Sequence, residues 1–199
     1  ITLNGSKTLN PSVPLTVNNG ASLNTNNINN YNLNFGGNYI NNGGTLTANA
    51  SNITISGNMA AQSIAGFSTT GNVTSSKTGG TATLTGNMNG SGLTISGAGG
   101  TLNLGTALIH TFTGSWTHTA GTLNGGSGTL NIGSDGSFTA GTFTAGTGTV
   151  NYNASGNQNL AAVTYNNLTV SGSGTKSLTG TTTISGNYTN SNAAITLSA

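Results

Sequence analysis

A short strand phrase recurs along this chain at a nearly constant interval: "LTVNNG" at 15–20, "ITISG" at 53–57, "LTISG" at 93–97 and "LTVSG" at 168–172. The first apolar residues of such phrases are Leu15, Leu33, Ile53, Val73, Leu93, Phe112, Leu130, Val150, Leu168 and Ile184. Each follows the one before by roughly 20 residues or slightly fewer, a spacing typical of stacked repeats. Most phrases carry a second apolar residue two places on, as in Leu15/Val17, Leu33/Phe35, Ile53/Ile55, Leu93/Ile95, Leu130/Ile132, Val150/Tyr152 and Leu168/Val170. Side chains two apart on a strand point to the same side, so each phrase reads as a strand with one apolar face. A unit of this size cannot bury that face alone and must stack on copies of itself. The pattern predicts an all-β fold, a parallel β-solenoid (β-helix) of about ten coils of roughly 16–20 residues.

The competing fold is a row of tandem small β-sandwiches, whose strands would pair as hairpins at closer spacing. The segment "GSFTAGTFTAGTGTVNYN" at 136–153 fits that pattern as well. Residues 1–10 read as an N-terminal strand set apart by Pro11 and Pro14, suited to act as an assembly arm, and 11–199 as one continuous solenoid domain.

Composition supports strands over helices. Thr, Val, Ile, Tyr and Phe favour strands, whereas Glu and Arg are absent. With Lys7, Lys77, Lys176 and Asp135 as the only charged side chains and 33% of residues apolar, the chain is not of the disordered type, which combines low hydrophobicity with high net charge. Three dispersed lysines make no basic footprint, so no nucleic-acid partner is expected. No apolar run approaches membrane-spanning length, so no membrane insertion is expected, and any secretion leader is expected to have been removed. The absence of cysteine decides little about compartment.

The stretch "GSFTAGTFTAGTGTVNYNASGNQNLAAVTYNNLTVSGSGTKSLTGTTTISGNYT" at 136–189, with a degenerate start of the same cassette in "SWTHTAGTLN" at 115–124, resembles the repeats of secreted bacterial Gly/Asn/Thr-rich β-strand proteins. These are the autotransporter passengers and filamentous adhesins. The resemblance implies a β-solenoid displayed outside the cell or on its surface, with an adhesive or scaffold role, and it brings no catalytic motif.

Chemistry is constrained by what is scarce. Glycoside hydrolysis needs two carboxylates and this chain has Asp135 alone, in the turn "GSDGS", so no enzyme and no cofactor are expected. His110 and His118, on either side of Gly114, read as surface or turn residues rather than a metal pair. Trp116 and the five tyrosines read as core or corner aromatics, with sugar stacking the alternative. The sequons at Asn52, Asn72, Asn167 and Asn187 are inevitable in Asn/Thr-rich strands.

Two readings of function remain. The residues following the leading apolar positions are Thr16, Asn34, Thr54, Thr74, Thr94, Thr113, Asn131, Asn151 and Thr169, which would stack outward into one polar column. Such a column either stabilises the stack or presents a face for ice or surface glycans. The end phrases "ITLNG" and "AAITLSA" carry the pairs Ile1/Leu3 and Ile195/Leu197, expected to join copies of the chain head-to-tail into an extracellular filament.

Overall fold

The computed structural model describes residues 1–178, 180–191 and 194–197. Its strands are short and follow one another around three sides of a stack. Sheet I consists of Lys7–Leu9, Leu33–Phe35, Ile53–Ile55, Val73–Ser75, Leu93–Ile95, Trp116–His118 and Gly136–Phe138. Sheet II consists of Leu15–Asn18, Tyr39–Asn42, Ala61–Ile64, Thr81–Leu84, Thr101–Asn103, Thr122–Asn124 and Thr142–Thr144. Sheet III consists of Phe67–Ser68, Met88–Gly90, Ile109–Phe112, Thr129–Ile132, Thr149–Tyr152, Asn167–Val170 and Tyr188–Asn190.

Three smaller sheets complete the stack: Gln158–Leu160 with Thr175–Leu178 and Ala194–Leu197, Thr164–Tyr165 with Thr183–Ile184, and Ser22–Asn24 with Thr45–Thr47. The result is a parallel β-solenoid of about nine turns. At about 4.8 Å per turn its length is roughly 43 Å. Neighbouring strands in these sheets pair in parallel, which rules out tandem sandwiches built from hairpins. The 136–153 segment supplies one strand to each of sheets I, II and III in turn.

The period-two apolar pairs are the reason for this arrangement. Leu33/Phe35, Ile53/Ile55, Leu93/Ile95, Leu130/Ile132, Val150/Tyr152 and Leu168/Val170 are all buried, and they interlock down the axis as one core. The corners need glycine. Gly105, Gly126 and Gly146 stand one above another with φ of +78°, +62° and +63°. A methyl on Gly126 would strike the Gly105 carbonyl, and one on Gly146 the Gly126 carbonyl, so both the left-handed backbone and the close stacking exclude a side chain.

Two expectations are corrected. Coil length varies more than the sequence phrases suggest: the register pairs Lys7 with Leu33 and Leu93 with Trp116 across long coils, but Gln158 with Lys176 across a short one. The recurring phrases consequently change face along the chain. Leu33, Ile53, Val73 and Leu93 belong to sheet I, Phe112, Leu130, Val150 and Leu168 to sheet III, and Leu15 to sheet II.

Residues 1–10 are also part of the stack. Thr2 bridges Asn24 in parallel, the Leu3 N–H donates to the Asn24 carbonyl at 2.8 Å, and Lys7–Leu9 pairs with Leu33–Phe35. Pro11 and Pro14 interrupt pairing only at the corner between Lys7–Leu9 and Leu15–Asn18, so the strand before them keeps its ladder.

Leu93 lies fully buried in the middle of the stack, and its neighbour Thr94 faces outward. Leu93→Ala is expected to lower the unfolding free energy by about 2–5 kcal/mol and Thr94→Ala by less than about 1 kcal/mol, as read by urea titration of the circular dichroism signal.

Candidate functional site

The outward residues expected to form a single column fall on three sides of the rod. Asn34, Thr54, Thr74 and Thr94 stack in register on sheet I, between Thr8 below and Thr117 above. Asn131, Asn151 and Thr169 stack on sheet III. Thr16 stands alone on sheet II opposite Ile40, and Thr113 lies in the turn after Ile109–Phe112, where Thr111 takes the ladder position instead. A further column, Thr81, Thr101, Thr122 and Thr142 on sheet II, is hidden in the sequence because the apolar residue that marks each strand follows the threonine instead of preceding it.

The columns differ in how their polar groups are used. On sheet III they bind one another: Asn89 Nδ2 donates to Ser68 Oγ at 3.0 Å, Asn151 Nδ2 to Asn131 Oδ1 at 2.9 Å, and Ser171 Oγ to Asn151 Oδ1 at 3.0 Å. An amide both donates and accepts, so identical residues one turn apart are complementary. The threonine hydroxyls of Thr81, Thr101, Thr122 and Thr142 make no hydrogen bond among the described residues and face solvent on sheet II.

Asparagine has a second use at the corners. Asn32 Oδ1 accepts from the Asn52 N–H at 3.2 Å, Asn52 Oδ1 from the Asn72 N–H at 3.0 Å, and Asn167 Oδ1 from the Asn187 N–H at 3.0 Å. Each side chain staples its turn to the next at a backbone group that leads into a strand. Asp135 occupies the same kind of position, with Oδ1 accepting from the Asn159 N–H at 2.8 Å.

Several polar side chains point inward, where sequence reading places none. Both histidines are fully buried, not at the surface, because they occupy the inward parity of their strands: His110 pairs in register with Leu130, and His118 with Ile95 and Phe138. The Met88 N–H donates to His110 Nδ1 at 3.0 Å, so that nitrogen carries no proton and Nε2–H donates to the Leu104 carbonyl at 2.8 Å. Burial pushes the pKa of both imidazoles below the ordinary value. Trp116 is buried against Phe143, with ring centroids 5.1 Å apart, and offers no sugar platform.

Two lysines are buried as well. The Lys176 ammonium donates to the carbonyls of Ala154, Gly156 and Ser173 at 2.8, 3.1 and 3.0 Å, one acceptor for each of its hydrogens. Lys77 donates to Gln62 Oε1 at 3.0 Å, while Gln62 Nε2 donates to the Phe35 and Gly37 carbonyls at 2.9 and 2.6 Å. Gln158, in register with Lys176, serves the Ile132 and Ser134 carbonyls in the same way. Burial lowers the pKa of both lysines. These groups bring a further donor to carbonyls at the corners, of which Phe35, Ile132 and Ala154 also accept a backbone N–H from the next turn, a structural task with no opening to a substrate. The signal is present in the sequence: Gln62 and Ile64, Gln158 and Leu160, and Lys176 and Leu178 share the parity of an apolar pair.

Beside Gln158 the ladder of sheet I stops at Gly136–Phe138, and a tyrosine pair fills the step. The Tyr152 and Tyr165 hydroxyls are 3.1 Å apart, Tyr165 donates to the Ala161 carbonyl at 2.6 Å, and the Ala161 N–H donates to the Tyr152 hydroxyl at 3.0 Å. Burial pushes Tyr152 up to about 12.

Of the expected joint residues, Ile1 is 89% exposed, Leu3 is buried at the end of the core, and Ile195 is half-buried opposite Lys176. The side chain of Leu197 lies outside the described residues, although its backbone pairs with Leu178. Comparison of the chain with protein-family models, with curated proteins and with solved structures finds no match to any of them.

Two measurements follow from the buried groups. Because the folded-state imidazoles bind protons less readily than unfolded ones, stability is complete above about pH 6.5 and falls as the pH drops from there toward the lowered folded pKa values. The melting temperature should decline over that window, and His110→Asn should reduce the slope. Lys176→Met takes a donor from three carbonyls, of which Ala154 keeps the Ser173 N–H, and is expected to cost at least about 1–3 kcal/mol, whereas Lys7→Met, at an exposed position, should leave the melting temperature unchanged.

Proposed function

We propose that this chain is a structural rod, a subunit or repeat section of an extracellular bacterial fibre or surface filament. The observation that carries the reading is the use of its polar groups: corner asparagines, the sheet III amides and the buried Gln and Lys side chains are all engaged in joining one turn to the next. The resemblance of residues 136–189 to secreted bacterial repeat proteins supports the same role and the same location outside the cell.

Stacking continues through the edges of the terminal strands, either into further coils of a longer chain or head-to-tail into another copy. The exposed Ile1 and half-buried Ile195 lie on those edges. A second reading, a face that binds ice or surface glycans, draws on the unbonded threonine column of sheet II rather than on the mixed column expected from sequence.

Electron micrographs of native material should reveal unbranched filaments of uniform width, with fibre diffraction giving an axial spacing of about 4.8 Å. The double substitution Ile1→Lys with Ile195→Lys is expected to shorten filaments of the purified protein. Dispersed particles that never associate, in native material as in purified protein, would overturn the structural reading. Thermal hysteresis or glycan retention abolished by Thr101→Lys would favour the second.

A further inference from the structure

We infer that the cleft around Asp135 binds a neutral saccharide unit. The cleft has a volume of about 410 Å³ and opens where the ladder of sheet I stops at Gly136–Phe138 and Gln158–Leu160 begins a new sheet. Asp135, Ser137, Phe138 and Asn159 line it, with Leu160 and Ala162. Its size falls within the usual range for small-molecule sites.

The carboxylate itself is the first argument. Asp135 does what Asn32, Asn52 and Asn167 do elsewhere, accepting an N–H from the next turn through Oδ1. An amide oxygen suffices for that staple, so stacking does not explain a negative charge here. This is nonetheless the only carboxylate side chain in 199 residues, and that staple is its one hydrogen bond among the described residues. Oδ2 is thus left for a ligand, at an exposed position on the cleft wall.

The neighbouring groups select the ligand class. The Ser137 hydroxyl and the Asn159 amide are exposed and make no side-chain hydrogen bond among the described residues. Together the three side chains offer acceptors only at Asp135, donors and acceptors at Asn159, and both at Ser137. A cation would use the acceptors and leave the amide N–H groups idle, and an anion would be repelled by Asp135. An apolar ligand would leave all three unpaired. Sugar hydroxyls donate and accept, and satisfy the whole set.

The fourth wall is apolar and fixed. Phe138 is half-buried, its ring held edge-on by His118 at a centroid distance of 4.7 Å and an angle of 64°. Phe138 has the inward parity of its strand, opposite to Ser137, so its half-buried ring bounds the cleft from the core side and offers the apolar contact that a pyranose C–H face uses.

The test is a nuclear magnetic resonance titration of the full chain with glucose, galactose, mannose, N-acetylglucosamine and their β-linked disaccharides, beside methylamine and tetramethylammonium. At least one sugar should give saturable amide shifts confined to 135–138 and 159–162. Asp135→Asn should preserve the melting temperature, since the staple survives, and weaken that sugar by about tenfold or more. Phe138→Leu should weaken it too. Shifts from the amines with none from the sugars, shifts spread along the threonine columns, no saturable shift at millimolar concentrations, or undiminished binding by Asp135→Asn would each overturn the proposal.

Discussion

The structure depends on one constraint: each turn must finish directly above the place where it started, so that its backbone N–H and C=O groups meet those of the next turn in parallel register. Val73–Ser75 matches Ile53–Ile55 below and Leu93–Ile95 above residue for residue, and the same holds on sheet II between Thr81–Leu84 and Ala61–Ile64. Hydrogen bonds along the strands satisfy only the straight sides. At the corners turn-to-turn backbone bonds continue only in part, as from the Thr78 N–H to the Gly57 carbonyl and from Thr147 to Gly126, and the remaining polar groups must find other partners or stay buried and unpaired, which is costly. The asparagine staples, the inward glutamines and the buried ammonium groups are three answers to that problem.

The same constraint accounts for the poverty of charge. A residue placed on a strand has its counterpart about 4.8 Å away in the next turn, so any charge repeated by the sequence would face its own kind up the column. Amides and hydroxyls avoid this because each complements itself, as Asn131 and Asn151 do. The charges that do occur are singular. Lys176 is enclosed by carbonyl dipoles, and Asp135 stands at a break in the ladder where no identical neighbour sits above it.

The architecture is legible in the sequence, since parity within a strand and spacing between strands are both written in the apolar residues. The faces are not. The apolar doublet that marks Leu93/Ile95 on sheet I also marks Leu130/Ile132 on sheet III, so a count of doublets passes from one side of the rod to another without a change of pattern. Phe112 illustrates the slip: it comes next after Leu93 in the phrase series, yet it pairs with Ile132, while Trp116 is the true neighbour of Leu93. The candidate site residues divide in the same way. Asn34, Thr54, Thr74 and Thr94 form one group because four successive phrases stay on one face, whereas Thr16 and Thr113 fall elsewhere. The buried histidines and lysines escape a reading that weighs residue type above parity. The Asp135 cleft arises from a ladder break that no local phrase announces.

The corner staples and ladders join each turn to its immediate neighbours along the axis, and this gives the rod a particular response to tension. Force applied along the axis loads the inter-turn hydrogen bonds of one boundary at a time, so extension proceeds by peeling rather than by collapse of the whole. Where the register runs from Ile53 through Val73 to Leu93, each released turn lengthens the tether by about 65 Å when drawn out. The chain therefore behaves as a yielding element, releasing slack one turn at a time, in steps set by the length of each coil, while the turns still stacked stay intact.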